Sequence, residues 1–170
     1  MTASLWKEEW NSMSTRRLAW LGIVLLAAGG CAARRIPGTD IEDNADTRAI
    51  LYLLEKYRVA VEQKDTNTLI GLVSTSFKDN AGTATPDDDL DYQSLQQKLP
   101  QRFAKVDDVH LDVNIRKIDL NQDNGTASVI YYYNMSFRMP TMSTKLLSES
   151  EIKQMLLRRE QGQWKIMSGV

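Results

Sequence analysis

The sequence predicts an α+β fold in which helices come first and an antiparallel sheet follows. Three observations predict it. Between Asp46 and Phe103 apolar residues recur every three to four positions, the period of a helix with one buried face. After Val106 the period drops to two, the alternation of a half-buried strand. Finally, Asn121–Gly125 and Gln161–Gln163 are short, glycine-bearing segments between long alternating runs, so they read as hairpin turns joining antiparallel neighbours.

The amino-terminal segment is read separately from the fold. Arg16 and Arg17 precede an apolar run from Leu18 to Ala28, the basic and apolar regions of an export signal. The run falls short of the roughly 20 apolar residues that a membrane-spanning helix needs. It ends in Gly29, Gly30 and Cys31, and together with Leu26 this ending resembles the bacterial lipobox. One position departs: Ala28 stands where that motif usually has Leu. Cys31 is the sole cysteine, so no internal disulfide is available, and lipidation would cap a thiol that is otherwise exposed to oxidation. The expectation is a signal peptide over residues 1–30 and a lipid on Cys31. Residues 1–12 make a long, partly acidic leader, and Met13 offers a second start. Ala32, rather than Asp, follows the cysteine; an aspartate there resembles an inner-membrane retention signal, so the expected address is the outer membrane, facing the periplasm. The part after Cys31 has the length of one domain.

Residues 31–45, with Pro37 and Gly38 and no apolar period, are expected to be a flexible tether, and the domain proper spans 46–170. A first helix is predicted from Asp46 or Thr47 as cap to about Lys64, with Ile50, Leu54, Tyr57 and Val61 facing inward. Asp65 or Thr66 caps a second, shorter helix carrying Leu69, Leu72 and Val73, and Phe77 follows its turn. Residues 78–91 read as a long polar loop. A third helix presents Tyr92, Leu95, Leu99 and Phe103, with Pro100 expected to kink it because proline lacks the helical amide.

Four strands follow. In the first, Val109, Leu111, Val113 and Ile115 share one parity, whereas Ile118 and Leu120 continue on the other, which predicts a bulge near Arg116 and Lys117. The second runs from Thr126 to Met139 with Ala127, Val129, Tyr131, Tyr133, Met135 and Phe137 on its inner face. The third is placed at Leu146–Glu160, and the fourth, beyond Gly162, at Trp164–Ser168.

An opening helix with Tyr57, the Lys64-Asp65 break, a short helix ending near Phe77 and a closing hairpin of Gly162, Trp164, Lys165 and Ile166 together resemble the nuclear transport factor 2-like superfamily, including its SnoaL-like and ketosteroid-isomerase-like members. The resemblance spans residues 46–170. It implies a cone-shaped (cystatin-like) fold, helices packed on a curved antiparallel sheet with a pocket at the open end, and it leaves function open. The pocket-lining residues expected from the inward faces are Tyr57, Phe77, Tyr131, Tyr133, Met135 and Trp164.

The resemblance also bears on catalysis. In ketosteroid-isomerase-like members a tyrosine of the first helix and an aspartate after the second share the chemistry, with a buried protonated acid completing the oxyanion hole. The resemblance assigns the tyrosine role to Tyr57, while Asp79 lies about two residues before the base position, which falls near Ala81; the inner face of the second strand carries no carboxyl group. The only histidine, His110, alternates with Val109 and Leu111 and belongs to the solvated face, which argues against a histidine-dependent dehydratase. With no base beside a Ser, Cys or Lys, nucleophilic catalysis has no candidates. Asp87, Asp88, Asp89 and Asp91 suggest a calcium loop, but the alternating ligand spacing and the final glutamate are absent, and Asp89 or Asp91 serves more simply as a helix cap. No metal or cofactor is therefore assigned.

Net charge is -1 over the whole chain. Three basic and two acidic residues lie in 1–31, so the remainder is also slightly acidic, and its bases are scattered; nothing here reads as a nucleic-acid footprint. The expected partners are the membrane through the amino-terminal lipid, a small apolar ligand, and a second copy meeting the outer sheet face at Ile130 or Tyr132. The function expected is non-catalytic binding of a small ligand or protein in the cell envelope; the alternative is an isomerase or dehydratase built on Tyr57 and Asp79.

Overall fold

The computed structural model describes residues 34–80, 89–141 and 143–170. Cys31 and the predicted signal lie outside the described residues, as do Asp87 and Asp88.

The folded unit begins earlier than expected. Residues 34–43, read as tether, fold back in a closed turn: Ile36 N–H donates to Ile41 O at 2.9 Å and Asp43 N–H to Arg34 O at 2.6 Å. Gly38 makes the reversal possible with φ +77°, and Ile41 pins it by burying its side chain. A single apolar anchor has no period, so composition alone could not reveal it.

Helix α1 spans Ala45–Glu62. Its cap is Asn44, ahead of the expected Asp46 or Thr47. The Asn44 side chain accepts from Thr47 N–H at 2.9 Å, and Thr47 Oγ1 accepts from Asn44 N–H at 3.1 Å, a reciprocal capping box. At the other end Lys64 turns left-handed, φ +56°, and its ammonium reaches Val106 O at 2.9 Å and Asp107 at 3.1 Å. Asp65 then caps α2, Thr66–Leu72. This is the Lys-Asp break seen in the sequence.

The expected loop 78–91 has ordered ends. Strands β1, Lys78–Asp79, and β2, Leu90–Asp91, pair antiparallel, held by the burial of Leu90. Asp91 caps α3, Tyr92–Phe103, by accepting from Ser94 N–H at 2.7 Å, and Pro100 sits in its last turn.

Strands β3 (Asp107–Asn121), β4 (Thr126–Met139), β5 (Ser143–Glu160) and β6 (Gln163–Ser168) form an antiparallel sheet in that order. The register shifts between Ile115 and Lys117, where the change of parity predicted a bulge, and again between Asp107 and His110, where Asp108 takes φ +50°. β5 starts three residues before the expected Leu146. The β5–β6 turn has positive φ at both Gln161 and Gly162, which suits the right-handed twist of a hairpin. Helix α1 packs on β3, and Ile50 and Leu54 meet Leu111, Val129, Met155 and Ile166 in one core.

Candidate functional site

A cavity of about 400 Å³ opens between the helices and the inner face of the sheet. Val61 and Tyr57 of α1, Leu95 and Leu99 of α3, and Val109 of β3 supply apolar walls, while Arg102, Glu149 and Lys153 bring charge to its margin. Helical spacing explains the α1 contribution: Tyr57 and Val61 are four residues apart and share the inward stripe with Ile50 and Leu54. A volume of this size falls within the range of small-molecule sites.

Three of the six residues expected to line the pocket do so: Tyr57, Tyr133 and Met135. The other three lie elsewhere. Phe77 is buried in the core beyond α2. Tyr131, fully buried, donates its hydroxyl hydrogen to Gly169 O at 3.0 Å. Trp164 sits with Asp46 and Arg159 beside a separate hollow of about 230 Å³, its indole N–H donating to Asp46 at 3.2 Å. Parity put Tyr131 and Trp164 on the correct face, but parity carries no information on position along the strand relative to the helices.

The tyrosines are held in the neutral form. Burial pushes the Tyr57 hydroxyl well above its ordinary value, and Tyr131, Tyr133 and Asp79 add to the effect. Tyr131 rises for the same first reason, helped by Tyr133, Glu151 and Asp79. Tyr133 is pushed up to about 12 by burial and by Glu149 and Glu151; its hydroxyl donates to Met135 Sδ at 2.9 Å, and the Lys153 ammonium lies 4.2 Å from its ring centre. At neutral pH these groups are hydrogen-bond donors, not bases.

Asp79 does not line this cavity. It borders a wider groove of about 940 Å³ with Lys78 and Asp91, and its Oδ2 accepts from Gly169 N–H at 2.7 Å. Tyr57 and Asp79, the two members of the enzyme alternative, therefore face different hollows. His110 is largely exposed and pairs with Glu62 at 2.7 Å, away from the cavity lining. Of the acids considered for calcium, Asp91 is occupied as a helix cap, and among the described residues no group of three or more His, Cys, Asp or Glu is placed to hold a metal ion. Among the described residues no helix is long and apolar enough to cross a membrane.

Sequence reasoning missed Lys153, Arg102 and Gly169. A signal existed for the first: Glu149, Glu151 and Lys153 share the parity of the buried Met155 and Leu157, so the early half of β5 meets a mouth where a core would need apolar residues.

No protein-family model matches the chain, and no curated protein matches it. Solved structures do. A conserved protein from Planctomyces limnophilus superposes with a TM-score of 0.64 at 13% identity, covering 74% of this chain and 93% of that one. A putative scytalone dehydratase from Novosphingobium aromaticivorans gives 0.63 at 16%, covering 73% and 80%. A putative dehydratase of the nuclear transport factor 2-like family from Streptomyces avermitilis gives 0.56 at 16%, covering 73% and 92%. The chain has the nuclear transport factor 2-like fold, α+β with helices against a four-stranded antiparallel sheet. That fold serves dehydratases and ligand-binding proteins alike, and likeness at this identity speaks for fold alone.

Proposed function

We propose that the chain is a lipoprotein of the bacterial envelope whose folded domain binds a small apolar ligand without catalysis. Residues 1–30 are the export signal, Cys31 is the acylated first residue of the processed chain, and the domain faces the periplasm from the outer membrane. Support for the address is the run from Arg16 to Cys31 with Ala32 after it. The observation that carries the binding reading is the cavity: its walls are mostly apolar, its tyrosines are locked neutral, and Tyr57 and Asp79 border different hollows. The isomerase or dehydratase alternative needs Tyr57 and Asp79 around one substrate, and with Gly169 in place they border different hollows, so it has less behind it.

The domain pairs with a second copy through the outer sheet face. Tyr132 and Ile152 are directly opposed across β4 and β5, Ile130 pairs with Gln154 and Ser128 with Leu156. Ile152 is 72% exposed and Leu156 44%. Between Arg138 at one end of this strip and Arg158 at the other, the outward positions of both strands carry no charge. A surface that meets its own copy across a twofold axis must not oppose like charges, and this one has none to oppose.

Native mass spectrometry of the protein extracted from its own membrane tests all three statements. The expected result is a chain beginning at an acylated Cys31, two copies, and a retained small molecule that is lost when Leu99→Trp fills the cavity. A chain still carrying residues 1–30, or an unmodified Cys31 thiol, overturns the lipoprotein; a ligand indifferent to Leu99→Trp overturns the binding site.

A further inference from the structure

Residues 169 and 170, after β6, are held by contacts that strand pairing does not require. Gly169 is pressed onto β5 so closely that a Cβ there would lie 2.1 Å from Gln154 O and 2.8 Å from Met155 Cα, and its φ is +87°. Only glycine fits. Both of its backbone polar groups are engaged, and by side chains: the N–H donates to Asp79 Oδ2 at 2.7 Å, and the C=O accepts from the Tyr131 hydroxyl at 3.0 Å. The next residue, Val170, contributes to the wall of the apolar cavity and of the groove that holds Asp79, as Lys153 also does. This short segment stands between the two hollows.

We propose that Asp79 and the Tyr131 hydroxyl form a two-point clamp for the polar end of the cavity's ligand, occupied in this structure by Gly169 as an internal stand-in. The proposal rests on the cavity being a ligand site. It adds the chemistry of the ligand: an apolar body carrying an N–H donor and a carbonyl acceptor separated by one carbon, as in an N-acylated glycine amide. Such a molecule replaces both hydrogen bonds that Gly169 gives up, so neither the buried Tyr131 hydroxyl nor Asp79 loses a partner in the exchange. When the strap lifts, the cavity and the groove join, and the clamp stands at their junction. A ligand lacking the donor does not replace the Gly169–Asp79 hydrogen bond and competes poorly with the strap.

The test uses N-acetylglycine benzylamide and its derivative methylated on the glycine nitrogen, which keeps the carbonyl and loses that N–H, titrated by nuclear magnetic resonance against the full chain and against a variant ending at Ser168. Binding to a site that is open only a fraction of the time is weakened by that fraction, so the shortened variant should bind N-acetylglycine benzylamide about tenfold more tightly. It should also prefer that amide to the N-methyl form, and Asp79→Ala in the shortened background should erase the preference. If removal of the segment unfolds the chain, Gly169→Ala, whose methyl group is driven against Gln154 O, supplies the lifted state. Equal affinity with and without the segment, no preference between the amides, or no binding of either by the open variant overturns the clamp. In the first two cases, loss of binding with Leu99→Trp shows that the cavity reading survives; in the third, the ligand retained in native extracts decides that reading separately.

Discussion

At the scale of single residues, the site is governed by what burial does to phenols. Tyr57, Tyr131 and Tyr133 all titrate above the ordinary tyrosine value of about 10, Tyr133 near 12. A group whose folded pKa is raised contributes stability that is complete below the unfolded pKa and is lost as pH rises through the folded one. Thermal unfolding should therefore be insensitive to these residues up to about pH 10. Above that, the melting temperature should fall as tyrosinate absorbance grows on unfolding, and Tyr131→Phe should flatten the fall. A melting temperature that holds steady to pH 12 would contradict the burial described for all three. The same neutrality explains why phenols adjoining Asp79 and Glu151 serve as donors.

Glu62 shows how a residue at the end of one element secures the flank of another. Burial pulls its pKa up, but the Leu111 N–H at 3.0 Å, the Arg58 guanidinium and His110 outweigh this, and its carboxyl is held below the usual glutamate range. The Leu111 amide lies on the side of β3 away from β4, so α1 supplies the acceptor that a neighbouring strand would otherwise give. Glu62→Ala should cost roughly 1–3 kcal/mol by leaving that amide without its partner, measured by urea unfolding at neutral pH. The wild-type advantage should shrink in acid, because a depressed carboxyl gives up its stabilisation as pH falls through its folded pKa. A difference that persists unchanged in acid would mean that packing, not charge, sets the cost.

Element by element, periodicity made most of the architecture legible. The helical and strand stripes, the Lys64-Asp65 break and the bulge beside Lys117 all follow from residue order, because each is set by local stereochemistry or by which parity must face the core. The turn at 34–43 and the β1–β2 pair were not legible: each hangs on one buried residue, Ile41 or Leu90, and one residue makes no period. The site was half legible. Inward parity pointed to Tyr57, Tyr133 and Met135, but the distance of Phe77 and Trp164 from the cavity depends on where strands cross the helices. Gly169 was invisible for a different reason: its role comes from contacts with Asp79, Tyr131 and Gln154, which are distant in sequence.

For the whole molecule, the neutral strip across β4 and β5 bears on assembly. Ile152→Lys would place like charges near one another across the proposed twofold axis. Sedimentation equilibrium should then change from dimer to monomer, with the cooperativity of unfolding retained, since Ile152 is 72% exposed and contributes little to the core. A wild-type chain that sediments as a monomer at all accessible concentrations would remove the second copy from the proposal.

β5 pairs with β6 only from Leu156 to Glu160, so residues 143–155 have β4 as their one neighbouring strand among the described residues. A bare strand of that length invites a foreign chain to add itself, and charged side chains pointing toward the core side are a known deterrent. Glu149 and Lys153, which bring charge to the cavity, and Glu151, which borders the groove, thus also guard the protein's colloidal behaviour. Replacing them with leucine to make a greasier binding site would remove that guard and leave a template for aggregation.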